Sequence, residues 1–174
     1  MKIEKLITKA RRGDKKAFLR LIESEQTKLY RTAFIYTKNK DDALDIVQET
    51  VYKALNSISS LKETKYYSTW LTKILINTSL DYLKKKKKLV LVDYDLGESV
   101  PDKELEIDYS IDLYHAIDQL NDRHKTIVIL RYYQDLTIKQ IAELLETPEG
   151  TIKSNLHRAI KMLKATLEGD CINE

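Results

Sequence analysis

Residues 137–163 read TIKQIAELLETPEGTIKSNLHRAIKML, and this stretch predicts two short helices joined by a tight turn. Apolar residues recur at three- and four-residue spacing on both sides of the turn. Residues 147–150, TPEG, cannot continue a helix, because proline lacks the backbone N–H and clashes with the preceding turn. The residues expected to be buried are Ile138, Ile141, Ala142 and Leu145 before the turn, and Ile152, Leu156, Ala159, Ile160 and Leu163 after it.

The second of these helices carries polar and basic side chains at the positions predicted to face outward. They are Lys153, Ser154, Asn155, His157 and Arg158. Such groups hydrogen-bond to phosphates and base edges. A helix-turn-helix places its second helix in the major groove of DNA. The stretch therefore predicts a DNA-reading unit.

The composition of the whole chain indicates an all-α protein. Its 174 residues include only 4 Gly and 2 Pro, and apolar residues recur at helical spacing almost throughout. No apolar run approaches the ~20 residues that span a bilayer, and the N-terminus lacks the apolar region of a signal peptide. The single Cys171 cannot form an internal disulfide. A cytoplasmic location is therefore expected.

The charge distribution divides the chain into three parts. Residues 89–112 contain eight acidic side chains and one Lys, which gives this segment a net charge of −7. Because the whole chain has a net charge of +3, the other residues together carry +10. We predict two small basic helical domains, 1–88 and 111–174, joined by an acidic flexible linker over 89–110. In the first domain the helices are expected at residues 3–12, 15–37, 42–57 and 68–88, with a loop at 58–67.

The predicted helix at 42–57 has an acidic stripe. Asp45, Gln48, Glu49 and Tyr52 are spaced by three and four residues and so are neighbours on the helix surface. The spacing alone leaves two interpretations open, an ordinary solvated face or a docking surface for a basic partner. DNA contact is excluded, since carboxylates repel phosphate. The buried face is expected to contain Ala43, Leu44, Val47, Val51, Ala54 and Leu55.

The predicted helix at 68–88 combines an aromatic residue with many lysines. Trp70, Lys73 and Asn77 precede five consecutive lysines at 84–88. Aromatic groups beside lysines suit melted nucleic acid, because every base offers a π-face for stacking. Core packing is the alternative for Trp70, and a favourable interaction with the helix dipole is the alternative for the lysines. The preceding loop, rich in serine and tyrosine, is a plausible rim for a flipped base.

Taken together and in order, these segments resemble the extracytoplasmic-function class of bacterial RNA polymerase sigma factors. Residues 41–55, DDALDIVQETVYKAL, resemble region 2.2 of that family. Residues 68–88, STWLTKILINTSLDYLKKKKK, resemble regions 2.3 and 2.4, and the helix-turn-helix with its preceding helices resembles region 4. The resemblance implies a protein that binds core polymerase and directs transcription initiation, with no enzymatic activity, cofactor or metal.

The resemblance also implies roles for individual residues. Docking on the β′ clamp helices of polymerase is implied for Asp42, Asp45, Gln48 and Glu49. Contact with the melted −10 element is implied for Trp70, Lys73, Asn77, Lys84 and Lys85, with the 58–67 loop holding a flipped base. Contact with the −35 element is implied for Thr151, Lys153, Ser154, Asn155, His157 and Arg158. Further implied partners are the polymerase β flap and a membrane-anchored anti-sigma factor, with no small-molecule substrate.

The chain departs from the family pattern at three positions. Glu146 stands where the family often has Gly, which would cost about 1 kcal/mol if the backbone φ is positive. Asn155 stands where Arg is frequent, and the loss of a bidentate guanine reader leaves the −35 preference open. Asn121 replaces a frequent Pro but can still cap a helix.

The alternatives to this interpretation are a two-domain regulator, an enzyme and an anti-sigma-like binding module. In the last of these, a DNA-reading helix would be surplus. A two-domain helix-turn-helix regulator that acts without docking on polymerase is the main alternative, but no alternating βα pattern precedes the linker. An enzyme is disfavoured because the chain has no Gly-rich phosphate loop and no Ser-His-Asp set. Its three histidines, His115, His124 and His157, lack metal-ligand spacing.

Overall fold

The computed structural model describes residues 3–92 and 111–170, and within these ranges all regular structure is helical. The all-α prediction is therefore confirmed. The chain divides into two compact units, Met1–Val100 and Pro101–Glu174. The first contains α1 (Ile3–Arg11), α2 (Lys15–Thr37), α3 (Lys40–Ser57) and α4 (Tyr67–Val92); the second contains α5 (Ile111–Asp118), α6 (Asp122–Val128), α7 (Ile138–Leu144) and α8 (Glu149–Asp170). Most of the predicted linker and Cys171 lie outside the described residues.

Side-chain caps fix where several of these helices begin. Asp14 accepts a hydrogen bond from the Ala17 N–H at 3.0 Å at the start of α2, as its sequence position predicts. Asn39 caps α3 and Asn121 caps α6, each accepting at 2.9 Å. Thr137 and Gln140 form a reciprocal capping box at the start of α7, a Thr-x-x-Gln signal that the sequence analysis overlooked.

The core of the first unit lies between α1, α2, α3 and α4. Its buried apolar residues are Ile7, Ala10, Ala17, Phe18, Leu21, Leu29, Ala33, Ala43, Ile46, Ala54, Ile58, Leu61, Tyr67, Leu71 and Leu75. Ile58 and Leu61 belong to the predicted 58–67 loop, and they anchor that segment in the core. The segment is not a plain loop, because it forms two short 3-10 turns, Ile58–Ser60 and Thr64–Tyr66.

Helix α3 buries most of its predicted inner face, since Ala43 and Ala54 are buried and Val47 and Val51 pack against the core. Leu44 and Leu55, both expected inside, are 48% and 39% exposed. The buried positions are Ala43, Ile46, Thr50 and Ala54. Two alanines allow α3 to approach its neighbours closely, and the Thr50 hydroxyl donates to the Ile46 carbonyl at 2.7 Å. A polar residue can therefore occupy the core side without an unsatisfied hydroxyl.

Helix α4 is longer than predicted at its C-terminal end. Residues 89–92 were predicted to begin the linker, but α4 runs to Val92. Lysine and leucine are good helix formers, and neither Gly nor Pro occurs between the lysine run and Gly97. The first residues of the predicted linker therefore extend α4.

The second unit is built around α8. Leu120, Val128 and Ala159 form a buried cluster with Leu156 and Leu163 packed against it. Lys125 is only 6% exposed, and its Nζ donates to Asp118 Oδ1 at 2.9 Å. This ion pair joins α6 to the end of α5, and it is the kind of buried charge that survives only when paired.

The turn of the helix-turn-helix lies earlier than predicted. Helix α8 already begins at Glu149, so Glu149 and Gly150 are helical. The Pro148 carbonyl accepts from the N–H groups of Thr151 and Ile152 at 2.9 and 3.1 Å, which starts the helix directly after the proline. In α7 the buried leucine is Leu144 rather than Leu145, which is half-buried.

Candidate nucleic-acid and protein interfaces

The exposed side of α3 carries both acidic and apolar groups. We call this surface the α3 stripe, and its exposed members are Leu44, Asp45, Gln48, Glu49, Tyr52 and Leu55. Tyr52 is 63% exposed. Glu49 makes an exposed ion pair with Lys53 at 3.5 Å, which stabilises the helix little. Sequence analysis placed Leu44 and Leu55 in the core because of their hydrophobicity, and it left out Ile46, which is buried.

Asp42, also predicted to dock on polymerase, is engaged within the first unit. Its Oδ1 accepts a hydrogen bond from the Tyr82 hydroxyl at 2.7 Å, and its Oδ2 accepts from Lys86 Nζ at 2.5 Å. The Asp42 side chain is only 17% exposed. Burial opposes ionisation of Asp42, but the hydrogen bonds from Lys86 and Tyr82 outweigh it and lower its pKa. Asp42 therefore differs from the exposed members of the α3 stripe.

Helix α4 presents a continuous polar face. At about 100° per residue, Trp70, Lys73, Asn77, Lys84 and Lys88 fall within a sector of about 60° that runs ~27 Å along the helix. Asn77, Lys84 and Lys88 are exposed, while Lys73 and Trp70 are half-buried. We call these five residues the α4 face. Lys85, predicted with them, is exposed and lies about 60° from Trp70.

Trp70 has a structural role in addition to any role in binding. Its side chain packs against the core of the first unit, and its ring lies 6.0 Å from that of Tyr67. Tyr67 was considered as part of a base-binding rim, but it is buried, and burial raises the pKa of its hydroxyl. Tyr66 is the exposed aromatic group of this segment, with Lys65 Nζ 4.8 Å from its ring centroid. Base stacking on the segment would therefore use Tyr66.

The exposed side of α8 carries most of the predicted DNA-reading residues. Lys153, Ser154, His157 and Arg158 are all exposed, and Thr151 is half-buried. Lys161, which sequence analysis did not select, is exposed as well. It lies four residues after His157 and three after Arg158, so it shares their side of the helix. We call Lys153, Ser154, His157, Arg158 and Lys161 the α8 face.

Asn155 does not belong to the α8 face, and its predicted outward position is wrong. Only 7% of the residue is exposed, and its Nδ2 donates to the Thr151 carbonyl at 2.9 Å. Asn155 follows buried Ile152 by three residues and precedes buried Ala159 by four, so helical spacing places it on the inner side. Polarity suggested an outward position, but the internal hydrogen bond makes burial possible.

The backbone at Glu146 has the conformation that sequence analysis had considered. Its φ is +51°, in the left-handed region where a residue with a Cβ is strained. The Thr147 N–H donates to the Ala142 carbonyl at 3.0 Å, which closes the end of α7. The turn between α7 and α8 is therefore closed by a backbone hydrogen bond, with strain in the Glu146 backbone.

The described residues contain neither a cluster of metal ligands nor a membrane-spanning helix. Across residues 3–92 and 111–170, no three or more His, Cys, Asp or Glu side chains are grouped so that they could hold a metal ion. None of the helices in these ranges has both the length and the apolar character needed to cross a membrane. The surfaces that remain are the α3 stripe, the α4 face and the α8 face.

Comparison with known families matches both units. Residues 21–89 match sigma-70 region 2, and residues 110–163 match sigma-70 region 4. The RNA polymerase sigma factor SigV of Bacillus subtilis is 37% identical over 91% of this chain and 96% of its own length. The extracytoplasmic-function sigma factor SigW of the same organism is 30% identical over 96% of this chain and 97% of its own length.

Solved structures share the fold. The sigma factor RpoE of Bartonella quintana, solved with the anti-sigma factor NepR, has a TM-score of 0.76 at 24% identity, covering 88% of this chain and 98% of its own. CnrH, solved with the cytosolic domain of CnrY, has a TM-score of 0.74 at 18% identity, covering 97% of this chain and 99% of its own. At these identities the similarity concerns the fold.

Proposed function

The chain belongs to the extracytoplasmic-function sigma factors of bacterial RNA polymerase, and we propose that its three exposed surfaces divide the work of initiation among polymerase docking, −10 recognition and −35 recognition. The observation that carries the proposal is the separation of charge among helices. The α3 stripe is acidic and apolar, whereas the α4 and α8 faces are predominantly basic. A protein that binds both polymerase and DNA needs both kinds of surface.

The α3 stripe docks on the β′ clamp helices of core polymerase. Asp45, Gln48 and Glu49 supply the polar contacts, and exposed Leu44, Tyr52 and Leu55 supply apolar area beside them. Apolar and aromatic anchors surrounded by polar groups are typical of protein interfaces. The stripe is a poor DNA surface, since its carboxylates repel phosphate.

The α4 face meets the melted −10 element. Lys73, Lys84, Lys85 and Lys88 neutralise phosphates, and Asn77 offers hydrogen-bonding groups to the bases. Trp70 contributes through its partly exposed edge while it packs on the core. Exposed Tyr66, in the turn before α4, provides a stacking surface for a flipped base.

The α8 face reads the −35 element in the major groove. Arg158 and Lys153 contact phosphates or guanine, and Ser154 and His157 supply shorter hydrogen-bonding groups. Thr151 lies in the first turn of the helix and offers its hydroxyl to a phosphate. Lys161 extends the face by one turn. Through the second unit the protein also contacts the β flap of polymerase.

Transcription in vitro tests the proposal against a regulator that acts without docking on polymerase. The purified chain is expected to make core polymerase initiate at a specific promoter and to bind that promoter poorly on its own. Asp45→Lys combined with Gln48→Ala is expected to weaken core binding while the far-UV circular dichroism stays helical. Nanomolar binding to a specific duplex without polymerase would favour the regulator instead.

We also propose that an anti-sigma factor controls the protein. The sigma factor RpoE, which shares the fold, has been solved with the anti-sigma factor NepR, and the exposed apolar residues of the α3 stripe offer a surface that such a partner would cover. If the partner is membrane-anchored, the chain is expected in the membrane fraction of uninduced cells. Recovery of the chain only from the cytosolic fraction would contradict the anchored partner.

A further inference from the structure

The first turn of α3 is fastened to the last third of α4 by a cluster of three polar side chains. Asp42 accepts from the Tyr82 hydroxyl at 2.7 Å and from Lys86 Nζ at 2.5 Å, so both carboxylate oxygens are engaged. Tyr82 in turn packs against the core of the first unit. The cluster therefore links the helix of the α3 stripe to the lysine-rich end of α4.

Helical geometry separates this cluster from the α4 face. Tyr82 and Lys86 are four residues apart, and at about 100° per residue they lie about 120° and 160° from Trp70 around α4. The α4 face occupies a sector of about 60° on the other side. Lys86 thus differs from Lys84 and Lys88 although all three belong to one run of lysines. Its charge is directed toward α3.

The charge state of the cluster fits a permanent link. Lys86 and Tyr82 both donate to Asp42, and donors of this kind hold an ionised carboxylate strongly. Burial and the hydrogen bond to Asp42 raise the pKa of Tyr82 to about 12. Asp42 therefore stays ionised and Tyr82 neutral across the physiological range. Each Asp42 oxygen already accepts one hydrogen bond, and the side chain is only 17% exposed, so little of it can reach a partner.

We propose that Asp42 is a positioning residue, which holds α4 through Tyr82 and Lys86 so that the α4 face keeps a fixed orientation relative to the α3 stripe. The inference rests on the proposed function, since the two surfaces must engage polymerase and promoter at the same time. Initiation requires the α3 stripe and the α4 face to be spaced correctly, and a functional site displaced by about 1 Å can lose activity. Asp42 then acts on the promoter step and not on docking.

Two isosteric variants separate positioning from docking. Asp42→Asn removes the charge that holds Lys86, and Asp45→Asn removes the same charge from the exposed stripe. Asp42→Asn is expected to leave the Kd for core polymerase within about twofold but to lower open-complex formation about fivefold, the value of roughly 1 kcal/mol for one such contact. Asp45→Asn is expected to raise the Kd. A Kd raised equally by both variants would overturn the positioning role.

A double-mutant cycle tests whether Lys86 acts through Asp42. Lys86→Gln and Lys84→Gln each remove one lysine charge from the same run, so they form a matched pair. Open-complex losses are expected to be non-additive for Asp42→Asn with Lys86→Gln, and to multiply for Asp42→Asn with Lys84→Gln. Multiplying losses in both pairs would show that Lys86 contacts phosphate directly, and the proposal would fail.

If Asp42→Asn fails to fold, Tyr82→Phe tests the same link with a smaller change to the structure. It removes one hydrogen bond and retains the packed ring, and it is expected to lower open-complex formation without changing the Kd for core polymerase. Unchanged open-complex formation with Tyr82→Phe and Lys86→Gln would overturn the inference. If Asp45→Asn leaves the Kd unchanged, the docking proposal fails, whereas the cycle still decides the role of Asp42.

Discussion

Helices α4 and α8 are both proposed to face promoter DNA, but they carry their positive charge in different ways. In α8 the basic residues are spaced along one side, and the opposite side packs in the second unit. In α4 five lysines follow one another and so surround the helix. Lys86 is turned to Asp42 on α3, whereas Lys84 and Lys88 lie on the α4 face. Equal charge in a sequence therefore does not mean equal availability to DNA.

The comparison also concerns how much of each face the fold requires. Trp70 packs on the core of the first unit and belongs to the α4 face. Arg158 is exposed on α8. Substitutions on α4 are therefore expected to affect both stability and binding, whereas substitutions on the α8 face affect binding alone.

Trp70→Ala is expected to have the largest effect. Truncation of a half-buried tryptophan removes apolar contacts and leaves a cavity, and we expect a loss of about 3 kcal/mol in the free energy of unfolding. Urea unfolding followed by circular dichroism measures this loss. Tryptophan fluorescence cannot be used, because Trp70 is the only tryptophan and the variant lacks it. Trp70→Phe is the control and should retain much of the stability. An unchanged unfolding midpoint would mean that Trp70 serves DNA binding alone.

Arg158→Ala is expected to impair initiation without loss of stability. Removal of one guanidinium from the α8 face should lower initiation at −35-dependent promoters about tenfold, in the range of one good base or phosphate contact of about 1–3 kcal/mol. Initiation assays on promoters with and without a −35 element measure the difference. Exposed Arg123 on α6 provides the matched variant, Arg123→Ala, which should have little effect. Equal losses on both promoters would argue against a −35 role.

Glu146→Gly is expected to stabilise the second unit. Its φ of +51° strains any residue with a Cβ, so glycine should raise the free energy of unfolding by up to about 1 kcal/mol, less any polar contact that the Glu146 side chain loses. Thermal unfolding of the full chain measures the change. Glu143→Gly, inside α7 on an exposed position, should destabilise by about 1 kcal/mol. The same sign for both variants would contradict the strain.

Alkaline pH is expected to weaken the link between α3 and α4, in which Tyr82 is one of two tyrosines of the first unit with a raised pKa. The folded pKa of Tyr82, about 12, lies above its ordinary value of 10.0. A raised pKa contributes stability that is complete below the unfolded value and is lost as pH rises through the folded value. The first unit should therefore lose stability between about pH 10 and 12. In tyrosinate absorbance, Tyr82→Phe should remove one late-titrating tyrosine relative to wild type, while Tyr67 remains as another.

Much of the fold could be predicted from the sequence, and the exceptions have physical causes. Helix positions followed from apolar spacing, and the structure shows that Asp14 and Asn39, both common N-cap residue types, cap α2 and α3. On α3 the predicted burial of Ala43 and Ala54 is confirmed, but Leu44 and Leu55 remain outside. Ile46 and Thr50, which were not predicted, are buried in addition. Hydrophobicity alone does not predict which side of a helix packs on its neighbours, because packing also depends on how closely the two helices approach.

The candidate surfaces were predictable to a different degree on each helix. On α8, the spacing of Asn155 from Ile152 and Ala159 indicates a buried position, but its polarity led to the prediction that it faces outward. On α4, no periodic signal distinguishes one lysine of the run from the next. The pairing of Asp42 with Lys86 depends on residues 44 positions apart in sequence. Only the packing of α3 on α4 brings them together.

The burial of Asn155 has a consequence for protein engineering. Because its amide is satisfied within α8, the residues that hold the helix in place and those that face outward are separate sets. The outward set can be exchanged as a cassette for that of another family member without redesigning the interior. Such exchange would retune the promoter preference of the protein and create orthogonal gene circuits on one scaffold.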